Sequence, residues 1–109
     1  MSGTARLWIN PDEVGADAAR VLRLRDRMAA SWDSPGFLNV HLPAPGESLA
    51  FATLNGEWGY DHLRPGGMND AGGLDEILPL TATVDDVIDY VRRAVAFHLR
   101  GPRSTARAA

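Results

Sequence analysis

Large side chains recur at every second position on both sides of the dipeptide Asn55-Gly56, within the stretch from Leu49 to Leu63. Asn-Gly favours a two-residue hairpin turn, because the type I′ turn needs positive φ at both central residues. The pattern therefore predicts a hairpin in which Leu54 pairs with Glu57. Strand periodicity places one set of side chains on one face, namely Leu49, Phe51, Thr53, Trp58, Tyr60 and His62. The opposite face receives the mostly small residues Ala50, Ala52, Leu54, Glu57, Gly59 and Asp61.

Helical periodicity predicts two helices. The first begins after the N-cap Asn10, has Pro11 in its first turn, and runs to about Trp32. The last begins after Thr83, with Asp86 placed for a capping box, and ends at Gly101-Pro102. Its buried stripe consists of Val84, Val87, Ile88, Val91, Val95 and Leu99.

The other segments complete an α+β fold. Residues 6–9 and 37–42 are predicted strands. Ile77–Leu80 is at best an edge strand because of Pro79. The Gly-rich stretch 64–73 is predicted to be irregular and mobile. We expect a small, mostly antiparallel sheet of three to five strands with two helices packed on one face. Residues 1–102 form this single domain, and 103–109 form a disordered tail.

Composition and charge narrow the class of protein. The chain has 109 residues, a net charge of −3 and no cysteine, and all of its basic residues are arginine. Residues 33–89 carry ten acidic residues against Arg64 alone. An acidic middle segment of this kind argues against nucleic acid as the partner and favours a basic protein. With neither an apolar run that could span a membrane nor a signal peptide, we expect a cytoplasmic protein without a membrane partner.

The three histidines permit a second interpretation. His41 and His62 can share one side of adjacent strands, with Asp61 pointing the other way, whereas His98 is expected to pack in the last helix. Two histidines without a fixed third ligand are a weak metal pattern, so we expect neither a metal nor a cofactor. A small-ligand pocket, or a minor enzyme subunit, that uses His41, His62 and Asp61 stays open as an alternative.

The aromatic face of the hairpin has two interpretations. Phe51, Trp58 and Tyr60 form the core under the helices, or they are exposed anchors for a partner protein. Anchors of that kind typically have a polar rim. The predicted contact set for a partner is Trp58, Tyr60, Asp61, Asp70, Asp75 and Glu76.

The order of elements resembles a known group of proteins. A capped helix is followed by the strands of Leu49–Tyr60, and the final helix closes on Phe97, Gly101 and Pro102. This layout is similar to the small immunity proteins that actinobacteria encode beside polymorphic toxins. The resemblance implies a non-enzymatic inhibitor that binds a cognate toxin and blocks its active site. Self-association through the hairpin edge, as a homodimer, is a further alternative.

Overall fold

The structure, a computed structural model, describes residues 10–33, 36–71 and 78–108, with side chains as far as Leu99. Within these residues the chain forms two helices and six strands, which confirms the predicted α+β class. The helices are α1 (Pro11–Arg25) and α2 (Val84–Ala108). The strands are β1 (Ala29–Asp33), β2 (Phe37–His41), β3 (Ser48–Leu54), β4 (Glu57–Arg64), β5 (Met68–Ala71) and β6 (Leu78–Pro79).

The sheet is antiparallel, and its strands stand in the order β1-β2-β3-β4-β5. Strand β6 also pairs with β4, at Glu57 and Trp58. The predicted hairpin is confirmed, because Leu54 pairs with Glu57 across the turn. Asn55 and Gly56 have φ values of 55° and 85°, as the two central positions of the turn require.

The first helix is shorter than predicted. It ends at Arg25, and Arg27 adopts the left-handed conformation with φ of 58°. The amide of Met28 then donates to the carbonyl of Leu22 at 3.1 Å, so the helix closes on a left-handed residue directly after its C-cap. The prediction of a helix to Trp32 was wrong because residues 29–33 form β1, whose Ala30 and Trp32 face the core as strand residues.

Two further boundaries differ from the prediction. The stretch predicted to be irregular contains the short turn Pro65–Gly67 and strand β5, which pairs with the end of β4. Helix α2 continues past Gly101-Pro102 to Ala108, although a proline in a helix interior removes a hydrogen bond and crowds the preceding turn. The predicted strand at 6–9, and residues 72–77, lie outside the described residues.

The capping box of α2 is confirmed. The side chain of Asp86 accepts from the amide of Thr83 at 3.0 Å, and the amide of Asp86 donates to the hydroxyl of Thr83 at 3.2 Å. Both helices pack on the same face of the sheet and on each other. The core lies between these layers, with Leu22, Leu38, Leu49, Phe51, Trp58, Tyr90 and Val91 among its most buried residues.

Among the described strands, β1 is outermost, and its edge away from β2 is partly closed. The guanidinium of Arg23 in α1 donates to the carbonyl of Ala30 at 3.1 Å. The amide of Ala30 donates to the carbonyl of Met28 at 2.9 Å. Both main-chain groups of Ala30 are therefore used within the molecule, which reduces the capacity of this edge to pair with another strand.

Candidate functional site

The aromatic face of the hairpin is the core. Trp58 and Tyr60 are 1% and 9% exposed, and Tyr90 of α2 packs its ring against Phe51 and Tyr60 at centroid distances of 5.8 and 6.0 Å. Of the two interpretations, the one with exposed aromatic anchors is wrong, because α2 covers this face. Trp58 and Tyr60 therefore present no exposed side chain to a partner in this fold.

The predicted acidic contacts do not form one rim. Asp61 is exposed on the side of the sheet that faces away from the helices. Asp70 lies beside His62 on the other side, and its carboxylate is 2.8 Å from the guanidinium of Arg64. Asp75 and Glu76 lie outside the described residues. Whether any of these residues contacts a partner stays a prediction.

The sheet has a second face that neither helix covers, and we call it the open face. Its centre is formed by small residues on β3 and β4, where Ala52 pairs with Gly59 and Ala50 pairs with Asp61. Two large apolar side chains border this centre, Phe37 at 39% and Leu54 at 72% exposure. Together they line a shallow cavity of 470 Å³.

The charges on the open face have one sign. Strand alternation places the carboxylates of Asp33, Glu57 and Asp61 on this face, and no described arginine side chain shares it. Asp33 accepts hydrogen bonds from Ser31 and Asn39 at 3.0 and 2.6 Å. Among the described residues, neither Glu57 nor Asp61 forms an ion pair. The open face is therefore an apolar patch with an uncompensated acidic rim.

The predicted pocket of His41, His62 and Asp61 is not formed. Strand β3 separates β2 from β4, so His41 and His62 do not lie on adjacent strands. The pairing register places His41 and Asp61 on the open face, whereas His62 points toward the helices. The sequence pattern gave the alternation within each strand correctly, but it did not give the relative register of β2 and β4.

The structure instead brings His62 together with His98 of α2. Their ring centroids are 4.5 Å apart, Nε2 of His62 is 2.9 Å from Oε1 of Glu47, and Nε2 of His98 is 2.9 Å from the hydroxyl of Tyr60. We call these four residues the imidazole cluster. A cavity of 540 Å³ lies beside it, with Leu42, Pro43, Ala44, Arg64, Asp70, Phe97 and Leu99 completing its lining.

The imidazole cluster was only partly visible in the sequence. The alternation of β4 predicts that His62 shares the face of Tyr60, and helical spacing places His98 near the buried stripe of α2. No pattern linked Glu47, in the connection after β2, to either histidine. Among residues 10–33, 36–71 and 78–99, no group of three or more histidine and acidic side chains is arranged to hold a metal ion.

Comparisons of this chain with protein-family models, with curated proteins and with solved structures find no match. In the part of the chain that the structure describes, neither helix has the length and apolar character needed to cross a bilayer. Two surfaces of the molecule are candidate functional sites, the open face and the cavity beside the imidazole cluster.

Proposed function

We propose that this protein is a non-enzymatic, cytoplasmic immunity protein that binds a basic toxin and occludes its active site. The observation that carries the proposal is the open face, where exposed Phe37 and Leu54 border a cavity rimmed by Glu57 and Asp61, two carboxylates without an ion pair among the described residues. Protein interfaces combine an apolar centre with a polar rim in the same way. The similarity of the layout to actinobacterial immunity proteins supports the toxin as the class of partner.

Electrostatics supports a basic partner rather than a second copy of this face. Two open faces that met would bring the carboxylates of Glu57 and Asp61 against carboxylates, which is unfavourable. A basic protein surface would meet complementary charge, which speeds association and excludes wrong partners. Asp70, on strand β5, remains a proposed contact, and so do Asp75 and Glu76, which lie outside the described residues.

The test uses affinity capture followed by a survival assay. Immobilised wild-type protein and the variant Asp61→Arg are exposed to lysate of the producing organism, at low and at high salt. We expect a basic protein that the wild type retains at low salt, and that is lost at high salt and with Asp61→Arg. Expressed alone in a test bacterium, the captured protein should be toxic, and co-expression with this chain should restore growth.

A matched control separates the open face from net charge. The variant Asp17→Arg makes the same charge change on the solvent side of α1, where Asp17 forms only an exposed contact with Arg20 at 3.3 Å. It should retain the partner as the wild type does. A captured protein that is not toxic, or that Asp61→Arg retains fully, would overturn the proposed function.

The cavity beside the imidazole cluster favours a second candidate function, the binding of a small ligand. Apolar walls from Leu42 and Phe97 meet the convergent polar groups of Glu47, His62 and His98, which is the usual composition of a ligand pocket. A fragment library screened by NMR tests it. Saturable shifts of the His62 and His98 ring resonances would support this function, and a screen without such shifts would count against it.

A further inference from the structure

We infer that the open face binds an extended segment of the partner in which an apolar side chain is flanked, two residues away on each side, by basic side chains. This inference rests on the proposed protein-binding function and specifies the chemistry of the partner at that site. Three features of the open face carry it, namely the space above Gly59, the exposed apolar borders, and the spacing of the two carboxylates.

The first feature is the space above Gly59. A Cβ atom built at this residue would meet no atom within 4 Å, and its φ lies outside the positive range. Neither packing nor backbone conformation therefore requires glycine here. Glycine within a strand lowers stability, and it frequently marks a place where another chain approaches closely. Ala52, its pairing partner in β3, keeps the adjacent position small as well.

The second feature is the pair of apolar borders. Phe37 precedes Leu38, whose partner in β3 is Phe51, and it therefore lies beside Ala52 on the open face. Leu54 lies at the end of β3, opposite Glu57. Their exposed side chains and the small residues between them line the cavity of 470 Å³, which is large enough to receive a bulky apolar side chain. Large side chains seated in such pockets dominate the energetics of interfaces.

The third feature is the spacing of the carboxylates. Glu57 and Asp61 stand two residues before and two residues after Gly59 on one face of β4, which corresponds to about 7 Å along the strand in each direction. An extended segment repeats with the same period, so a sequence of the form basic-x-apolar-x-basic places its three alternate side chains over these three positions. Aligned strands pack face to face in this way in sandwiches.

The experiment uses the full chain and three synthetic peptides, acetylated and amidated at their ends. The first is Arg-Ser-Trp-Ser-Arg, the second replaces both arginines by glutamate, and the third replaces tryptophan by alanine. Amide shifts are followed in ¹⁵N-labelled protein. We expect saturable shifts at Ala50, Ala52, Gly59 and Asp61 with the first peptide, none with the second, and affinity about tenfold lower with the third.

Two variants and one control assign the binding to the open face. In Gly59→Leu the new side chain extends into the open cavity without displacing other atoms, so the unfolding midpoint should not fall. Affinity for the first peptide should fall at least tenfold. Asp61→Asn should lower affinity for the first peptide about threefold. The affinity of this variant should depend less on salt concentration than that of the wild type. Asp17→Asn, on α1, should leave affinity unchanged. Gly59→Leu that binds as the wild type, or equal binding of the glutamate peptide, would overturn the inference.

Other occupants give distinguishable results. Shifts confined to His62 and His98 would place the peptide in the other cavity and overturn the inference. Sedimentation that shows a dimer abolished by Gly59→Leu would make a second copy the occupant, with the same consequence. A captured partner that is not toxic would overturn the immunity function but leave the peptide result intact. If the protein neutralises a toxin but does not bind the first peptide, the interface lies elsewhere and the inference is overturned.

Discussion

The carboxylate of Asp26 holds the guanidinium of Arg92 through two hydrogen bonds, of 2.6 and 2.8 Å. Asp26 is the C-cap residue of α1, and Arg92 lies in the first half of α2, so this pair joins the two helices across 66 residues of sequence. The hydrogen bonds from Arg92 lower the pKa of Asp26, while its partial burial opposes the shift. A forked geometry of this kind makes the pair stronger than an ordinary surface ion pair.

The lowered pKa predicts how stability depends on pH. A carboxylate whose pKa is depressed by folding contributes stability that is present above its ordinary pKa, about 4, and is lost as the pH falls through the depressed value. Asp26→Asn should therefore destabilise the protein at about pH 7 and converge with the wild type in strong acid. Urea unfolding over this pH range is the measurement.

Asp17→Asn is the control for this prediction. Its contact with Arg20 is exposed on both sides, so the change in unfolding free energy should be only a few tenths of a kcal/mol. A destabilisation of Asp26→Asn that is equally large at about pH 7 and in strong acid would show that the ion pair is not its cause.

The close contact between Gly15 and Trp32 predicts the effect of a substitution on stability. A Cβ at Gly15 would overlap the six-membered ring of Trp32, which packs against α1 from strand β1. Alanine would normally stabilise a helix interior by about 1 kcal/mol relative to glycine. Here we expect Gly15→Ala to destabilise by about 1–3 kcal/mol, because overpacking outweighs helix propensity. Thermal or urea unfolding of the purified variant gives the value.

The smaller ring in Trp32→Phe should relieve the overlap. In a double-mutant cycle, the cost of Gly15→Ala should be reduced when phenylalanine replaces Trp32. Strict additivity of the two changes would contradict the packing explanation.

The left-handed backbone conformation of Arg27 predicts that glycine at this position stabilises the protein. Its φ of 58° is unfavourable for a residue with a side chain, whereas glycine adopts it freely. Arg27→Gly should stabilise the protein by about 1 kcal/mol. Arg25→Gly, at the last residue of the helix, replaces a good helix former at a right-handed position and should not stabilise the protein. Equal effects of the two glycines on the unfolding midpoint would contradict the assignment of the C-cap.

The hydroxyl of Tyr60 tests the imidazole cluster. Tyr60→Phe keeps the ring that stacks on Phe51 at 4.8 Å but removes the group that lies 2.9 Å from Nε2 of His98. Loss of this partly buried hydrogen bond should cost about 1 kcal/mol of unfolding free energy. The ring proton resonances of His98 should shift at the same time. Unchanged stability and unchanged resonances would show that the hydrogen bond is not formed in solution.

The parts of the fold that were predicted correctly are specified by residues that are close together in the sequence. The Asn55-Gly56 turn and the Thr83 cap are specified by side chains within three residues, and both are found in the structure. The end of α1 was missed because Arg27, not glycine, occupies the left-handed position. The alternation of residues 29–33 was also masked by their equally good helical spacing.

The candidate sites could be predicted only in part because they depend on packing. Alternation identified both faces of the hairpin, and Asp61 was placed correctly away from Tyr60. Which face the helices cover is decided by long-range packing, since both the aromatic face and the small-residue face could accept a helix. The contact between His62 and His98 joins residues 36 positions apart through α2, and no local pattern encodes it.

Strands β1 to β4 are neighbours in the sheet in the same order as in the chain. Their contacts close short loops, which is characteristic of rapid folding. Among the described elements, the contact of α1 with α2 closes the longest loop, so we expect it to form after the transition state. Loss of the Asp26–Arg92 pair should then accelerate unfolding and leave the folding rate nearly unchanged. The lifetime of the native protein is therefore set by the contact between α1 and α2, whereas the rate of folding is set by the hairpins that lie between them in the chain.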